Sequence, residues 1–74
     1  MPKTKNTVAA ADVNAARAFG AVAYAAGAAR FAGGCKNLAP LYAGREIGDP
    51  TTTAVLTAWL RGWDAANVAA ILAT

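Results

Sequence analysis

The chain has no histidine, no serine and a single cysteine, Cys35. With no histidine and one thiol, the usual metal frameworks and an intramolecular disulfide are excluded. A lone thiol fits a reducing cytoplasm, where Cys35 is expected to be a small inert residue rather than a redox sensor or cross-linking site. Acids are scarce, four Asp/Glu in all, and no pair has the spacing of a general acid and base. Serine is missing as a nucleophile, and Cys35 has no histidine to activate it. The glycines of Gly33-Gly34-Cys35 and Ala43-Gly44-Arg45-Glu46-Ile47-Gly48 do not follow a strand, so a phosphate loop is unsupported. The expectation is a protein that is not an enzyme, with no cofactor, no metal and no small-molecule substrate.

Long apolar runs are missing too. The stretch Ala18 to Ala29, bracketed by Arg17 and Arg30, is too short for a bilayer, which needs about 20 residues. Lys3 and Lys5 ahead of an apolar region with Ala-Tyr-Ala suggest a signal peptide. Asp12 and Arg17 interrupt that region, however, and it has no leucine. The expected location is therefore cytoplasmic, away from membranes.

What the chain does have is alanine, its commonest residue by far. At 74 residues it is one domain near the lower limit for folding alone, with few large apolar side chains. So thin a core favours close helix packing, and self-association or a partner. The formal charge is +3, carried by dispersed residues: Lys3, Lys5, Arg17, Arg30, Lys36, Arg45 and Arg61. Contact with nucleic acid or an acidic protein surface is consistent with this balance, as is ordinary solubility charge.

Residues 1–7 read as a disordered basic arm, and 8–74 as a single helical domain. The first helix is predicted over about 9–32, with Gly33-Gly34 as its stop. Phe19, Val22, Ala23 and Ala26 fall on one side of it. Val13, Gly20, Tyr24, Gly27 and Phe31 form an adjoining stripe, on which Gly20 and Gly27 would admit another helix. Residues 33–49 form a long connector anchored by Leu38, Leu41, Tyr42 and Ile47, with a short helical turn near Leu41 to Gly44. The second helix is predicted over about 50–72, with Asp49 as N-cap and Pro50 at its first position. Leu56, Trp59, Leu60, Trp63, Ala66, Asn67 and Ala70 trace one broad face, while Val68 and Leu72 point the other way with Arg61. A last turn apolar on both sides argues for an oligomer or a protein partner.

The most specific element is Trp59-Leu60-Arg61-Gly62-Trp63. Its two indoles lie four residues apart, around a glycine that costs a helix about 1 kcal/mol relative to alanine. Something is expected to approach that bare backbone closely. The fold expected from these patterns is all-α: a two-helix antiparallel hairpin with a long Gly/Pro-containing connector. Phe19, Gly20, Gly27, Leu56, Trp59, Gly62 and Trp63 would form its structural core, completed by a second copy.

Ala23-Tyr24-Ala25-Ala26-Gly27, Pro40-Leu41-Tyr42 and Trp59-Leu60-Arg61-Gly62-Trp63-Asp64-Ala65-Ala66 together resemble the ribosome modulation factor/CrpP family, over residues 19–66. Members are short, basic, two-helix proteins of bacteria and their phages, with a Trp-x-x-Gly-Trp signature in the second helix. Here Cys35, Pro40 and Tyr42 are separated, where the family has a compact Cys-Pro-Tyr or Asn-Pro-Tyr. The resemblance implies a non-enzymatic protein acting by contact with the ribosome or RNA. Lys3, Lys5, Arg17, Arg30, Lys36 and Arg61 would be the contacts, with Val68 and Leu72 completing the binding surface. Small size and the two-sided last helix equally allow a phage- or mobile-element-encoded inhibitor of a host defence complex, of the anti-CRISPR kind.

Overall fold

A computed structural model describes residues 10–44 and 48–73, so the expected basic arm, with Lys3 and Lys5, and the anchor Ile47 lie outside the described residues. Within them the protein is all helical. Helix α1 spans Ala10–Ala25, a 3-10 turn spans Ala32–Gly34, a one-turn helix α2 spans Ala39–Tyr42, and helix α3 spans Pro50–Ala73. The two long helices, α1 and α3, pack against each other.

Alanine gives α1 the highest intrinsic helix propensity available, and Asp12 in its first turn complements the positive end of the helix dipole. The helix stops earlier than alanine content predicts, and the reason is Gly27. It adopts φ +82°, in the left-handed region, with open space around it. The Ala28 amide donates to the Ala23 carbonyl at 2.9 Å and the Gly27 amide to the Tyr24 carbonyl at 3.0 Å. This paired 6→1 and 5→2 pattern is a Schellman motif, which satisfies the last carbonyls of the helix. Gly27 is therefore a helix terminator and exposed, not part of the core stripe expected for it. Gly33 and Gly34 are not the stop either. They sit in the 3-10 turn, where their bare Cα atoms seat the Phe31 ring: a Cβ on Gly33 or Gly34 would come within 3.2 or 3.0 Å of it.

The start of α3 follows its sequence. Asp49 Oδ1 accepts the Thr51 amide at 2.8 Å, with Pro50 at the first helical position, where no amide is needed.

The two long helices do not form the expected antiparallel hairpin. Val13 and Arg17, early in α1, share a cleft with Ala54, Thr57, Ala58 and Arg61, early and midway in α3. Tyr24, near the end of α1, meets Trp63 further up α3. The helices thus run in the same sense. A short loop would have forced them antiparallel, but residues 26–49 are long enough to travel back along α3. Arg30 lies at Asp64, and residues 31–33 and Tyr42 line one groove with Thr52, Leu56 and Leu60 of α3. The return segment is pinned by Leu38, which is fully buried, and by Leu41 and Tyr42 against the core.

The core is small: Ala16, Ala32, Leu38, Val55, Ala58 and Trp59. Trp59, 1% exposed, is the largest of its buried side chains. Burying an indole of about 200 Å² contributes on the order of 5 kcal/mol at most. Around it the helices meet backbone to backbone. A Cβ on Gly20 would collide with the Trp59 carbonyl, and one on Gly62 with the Arg17 carbonyl. Gly62 of the tryptophan pentad and Gly20, the one glycine within α1, make that approach possible. Val22, expected on the packed side of α1, instead faces solvent, because the buried line runs through Ala16 and Gly20.

Candidate binding surface

The pentad divides its work between inside and outside. Trp59 is buried, and Trp63 is half-buried, donating its indole N–H to the Ala28 carbonyl at 3.0 Å. Tyr24 packs on Trp63 edge to face, with ring centroids 5.0 Å apart, a geometry that aligns ring edge with π face. Both contacts join α1 and its terminating turn to α3. Phe19 and Leu56 are half-buried beside the same core, and Gly20 and Gly62 lie within it. Arg61 faces outward.

Of the basic residues proposed from sequence, the structure brings two together. Arg17 of α1 and Arg61 of α3 line one shallow cleft of about 300 Å³, with Val13, Ala54, Thr57 and Ala58. Both are exposed, and no carboxylate among the described residues pairs with either. Two guanidinium groups with free donors flank a floor of small side chains, an arrangement suited to phosphate or carboxylate oxygens. Both residues are recognisable in the sequence as outward cations, but nothing in it pairs them, since they stand on different helices.

Arg30 has a different role. Its Nε and Nη2 donate to the two carboxylate oxygens of Asp64, at 2.6 and 2.8 Å. The hydrogen bond from Arg30, aided by its charge, holds the Asp64 carboxyl below its ordinary range, and Asp64 raises the Arg30 guanidinium in return. This bidentate pair clips the return segment to α3 and occupies two of the donors that sequence reasoning assigned to a partner. Lys36 is exposed on the return segment, away from the Arg17–Arg61 cleft. Cys35 is a free, half-buried thiol packed beside the core.

Beyond Gly62, α3 has no buried residue through Ala73. Val68 (52% exposed) and Leu72 (79%) lie here, on the helical face of Arg61. Among the described residues no helix is long and apolar enough to cross a membrane, and none form a cluster able to hold a metal ion.

One feature has no counterpart in the sequence reading. Arg30, Phe31, Ala32, Gly33, Tyr42, Thr52, Leu56 and Leu60 enclose a groove of about 500 Å³ between the return segment and α3. The i, i+4, i+8 spacing of Thr52, Leu56 and Leu60 marked a helix face, but the wall opposite comes from the return path. Comparison with known proteins gives no match to any family model, curated protein or solved structure.

Proposed function

We propose that this chain is a small, non-enzymatic binding protein that contacts RNA, as the ribosome modulation factor family it resembles does. The observation that carries the reading is the Arg17–Arg61 cleft: two arginines from separate helices that line one cleft without a carboxylate partner among the described residues. Phosphate oxygens match such a pair, and each neutralised phosphate releases counterions. Filter binding to purified ribosomes and to single-stranded RNA, over a salt series, tests it. Affinity is expected to fall steeply with salt, and Arg17→Ala with Arg61→Ala to make the log–log slope shallower by about 1.4. Binding that ignores salt, or a slope untouched by the double variant, would remove the proposal.

A second reading rests on the α3 overhang. Val68 and Leu72 present apolar surface to solvent, as a protein docking face does. That surface favours an inhibitor of a host protein complex, or a second copy of the chain. Pull-down from bacterial lysate separates the readings: ribosomal proteins support the first, a single nuclease or surveillance complex the second. Light scattering that shows a dimer lost in Leu72→Lys would identify the occupant as a second copy.

A further inference from the structure

Helix α3 outruns the helix it packs on. Helix α1 ends at Ala25, next to the Tyr24 ring that meets Trp63, whereas α3 continues to Ala73. Where the two helices touch, α3 presents small residues, Ala58 and Gly62, both buried at α1. The same spacing runs on through Ala65, Ala69 and Ala73, at intervals of three and four residues that keep to one side of the helix. These three are exposed. The surface that seats one helix thus extends past the point where the chain supplies one.

Residues 65–73 carry no charged side chain, although a helix left in water normally has charge on its solvated side. Their one polar side chain, Asn67, is half-buried and stands off the face of Ala65, Val68 and Leu72. A second copy of the same stretch suits this surface for two reasons. Twofold symmetry sets a patch against itself, so a charged patch would repel its copy, and this one has no charge to do so. The order of side-chain sizes is the other reason. About a twofold axis between positions 68 and 69, antiparallel pairing puts Leu72 opposite the partner's Ala65 and Val68 opposite the partner's Ala69. Each large side chain then enters the space left by a small one, as close helix packing requires. Parallel pairing would crowd Leu72 on Leu72 and leave a gap at Ala65.

Resting on the reading of the α3 overhang as a protein docking face, we propose that its occupant is a second copy of this chain. The two overhangs pack antiparallel through Ala65, Val68, Ala69 and Leu72. The paired stretch stops one turn short of Arg61, so the arginine cleft stays open. So short a stretch buries well under the roughly 800 Å² per partner of a stable complex, and the dissociation constant is on the order of 0.1 mM.

Sedimentation equilibrium of the full chain, from about 10 µM to about 1 mM, tests this against that weak affinity. The mean mass should climb towards two chains. Because each copy carries a charge of +3, salt should strengthen the pairing, the opposite of its effect on RNA contact. Leu72→Ala should weaken it about tenfold. Ala65→Leu should weaken it too, and the two together in one chain, which exchange large for small, should restore it. In a Cys35→Ala background, chains with Ala65→Cys mixed with chains with Leu72→Cys should give a disulfide-linked mixed dimer, while either alone should not. A monomer throughout would overturn the proposal and leave the overhang to a different protein. A dimer indifferent to Leu72→Ala would overturn the docking-face reading with it. A dimer dispersed by salt, or cross-linked better within either set of chains than between them, would overturn the antiparallel pairing. The mass measurement needs no variant, so it decides even if a substituted chain fails to fold.

Discussion

Replacing Gly62 with alanine pits two physical effects of opposite sign against each other. On helix propensity alone, the change should stabilise α3 by about 1 kcal/mol. Against this, the new methyl would press into the Arg17 carbonyl, with its carbon at 2.8 Å and the Arg17 Cα at 3.1 Å. Ordinary Cβ contacts lie at 3.4–4 Å, so the helices must part by on the order of 1 Å. A gap of that size forfeits about a quarter to a half of the dispersion energy at each contact along the seam. Overpacking typically costs about 1–3 kcal/mol when side chains can adjust. Here the obstacle is backbone, so the upper end applies, near 3 kcal/mol. The net loss is then about 2 kcal/mol, from a total of about 4–11 kcal/mol for a domain of this size. Thermal unfolding followed by circular dichroism should show the midpoint falling by about 8–16 °C. Gly20→Ala should behave alike, and the double variant should lose much less than the sum. Once one methyl has parted the backbones, the second occupies space already opened. A neutral or stabilised Gly62→Ala, or strict additivity, would refute the backbone-contact reasoning.

Gly27→Ala is the control, because its site is open. Its cost should be only the left-handed strain of about 1 kcal/mol, with no coupling to Gly62→Ala in urea denaturation. Thr52→Val removes a buried hydroxyl that has no partner, so it should raise the urea midpoint by the equivalent of about 1 kcal/mol; a lower midpoint would mean the hydroxyl is satisfied. The Arg30 hydrogen bond depresses the Asp64 carboxyl, so the stability it contributes is full above the unfolded carboxylate value of about 4 and is lost as pH falls through the folded one. The thermal midpoint difference between the unaltered chain and Asp64→Asn should therefore stay constant from pH 5 to 8 and shrink in acid; a difference that widens below pH 4 would contradict the pairing.

The parts of the fold legible in the sequence were those set by local chemistry. Asp49-Pro50 announced the start of α3 because capping involves only adjacent residues. Gly62 between two indoles announced a close approach because a glycine inside a good helix has a cost to offset. The end of α1 was not legible. In an alanine-rich run, a glycine seven residues after Gly20 serves a packing stripe or a left-handed stop equally well, and only the course of the following chain decides between them. The sense of the helices was hidden for the same reason: a long connector permits either direction, and Leu38 and the Arg30–Asp64 clip, which commit it, act across large sequence separations. The site followed this division. Arg17 and Arg61 were recognisable as outward cations, but their pairing, and the groove walled by Phe31 and Thr52, exist only through the return path.

That return path also sets how the molecule bears load. Because α1 and α3 run in the same sense, Ala10 lies towards one end of the molecule and Ala73 at the other. Tension applied between those points slides one helix along the other, whereas in a hairpin it would peel them apart one turn at a time. In sliding, the Gly20–Gly62 crossing, the Trp63–Tyr24 contact and the Arg30–Asp64 clip are strained together rather than in succession. A domain with so thin a core thereby resists pulling as a unit.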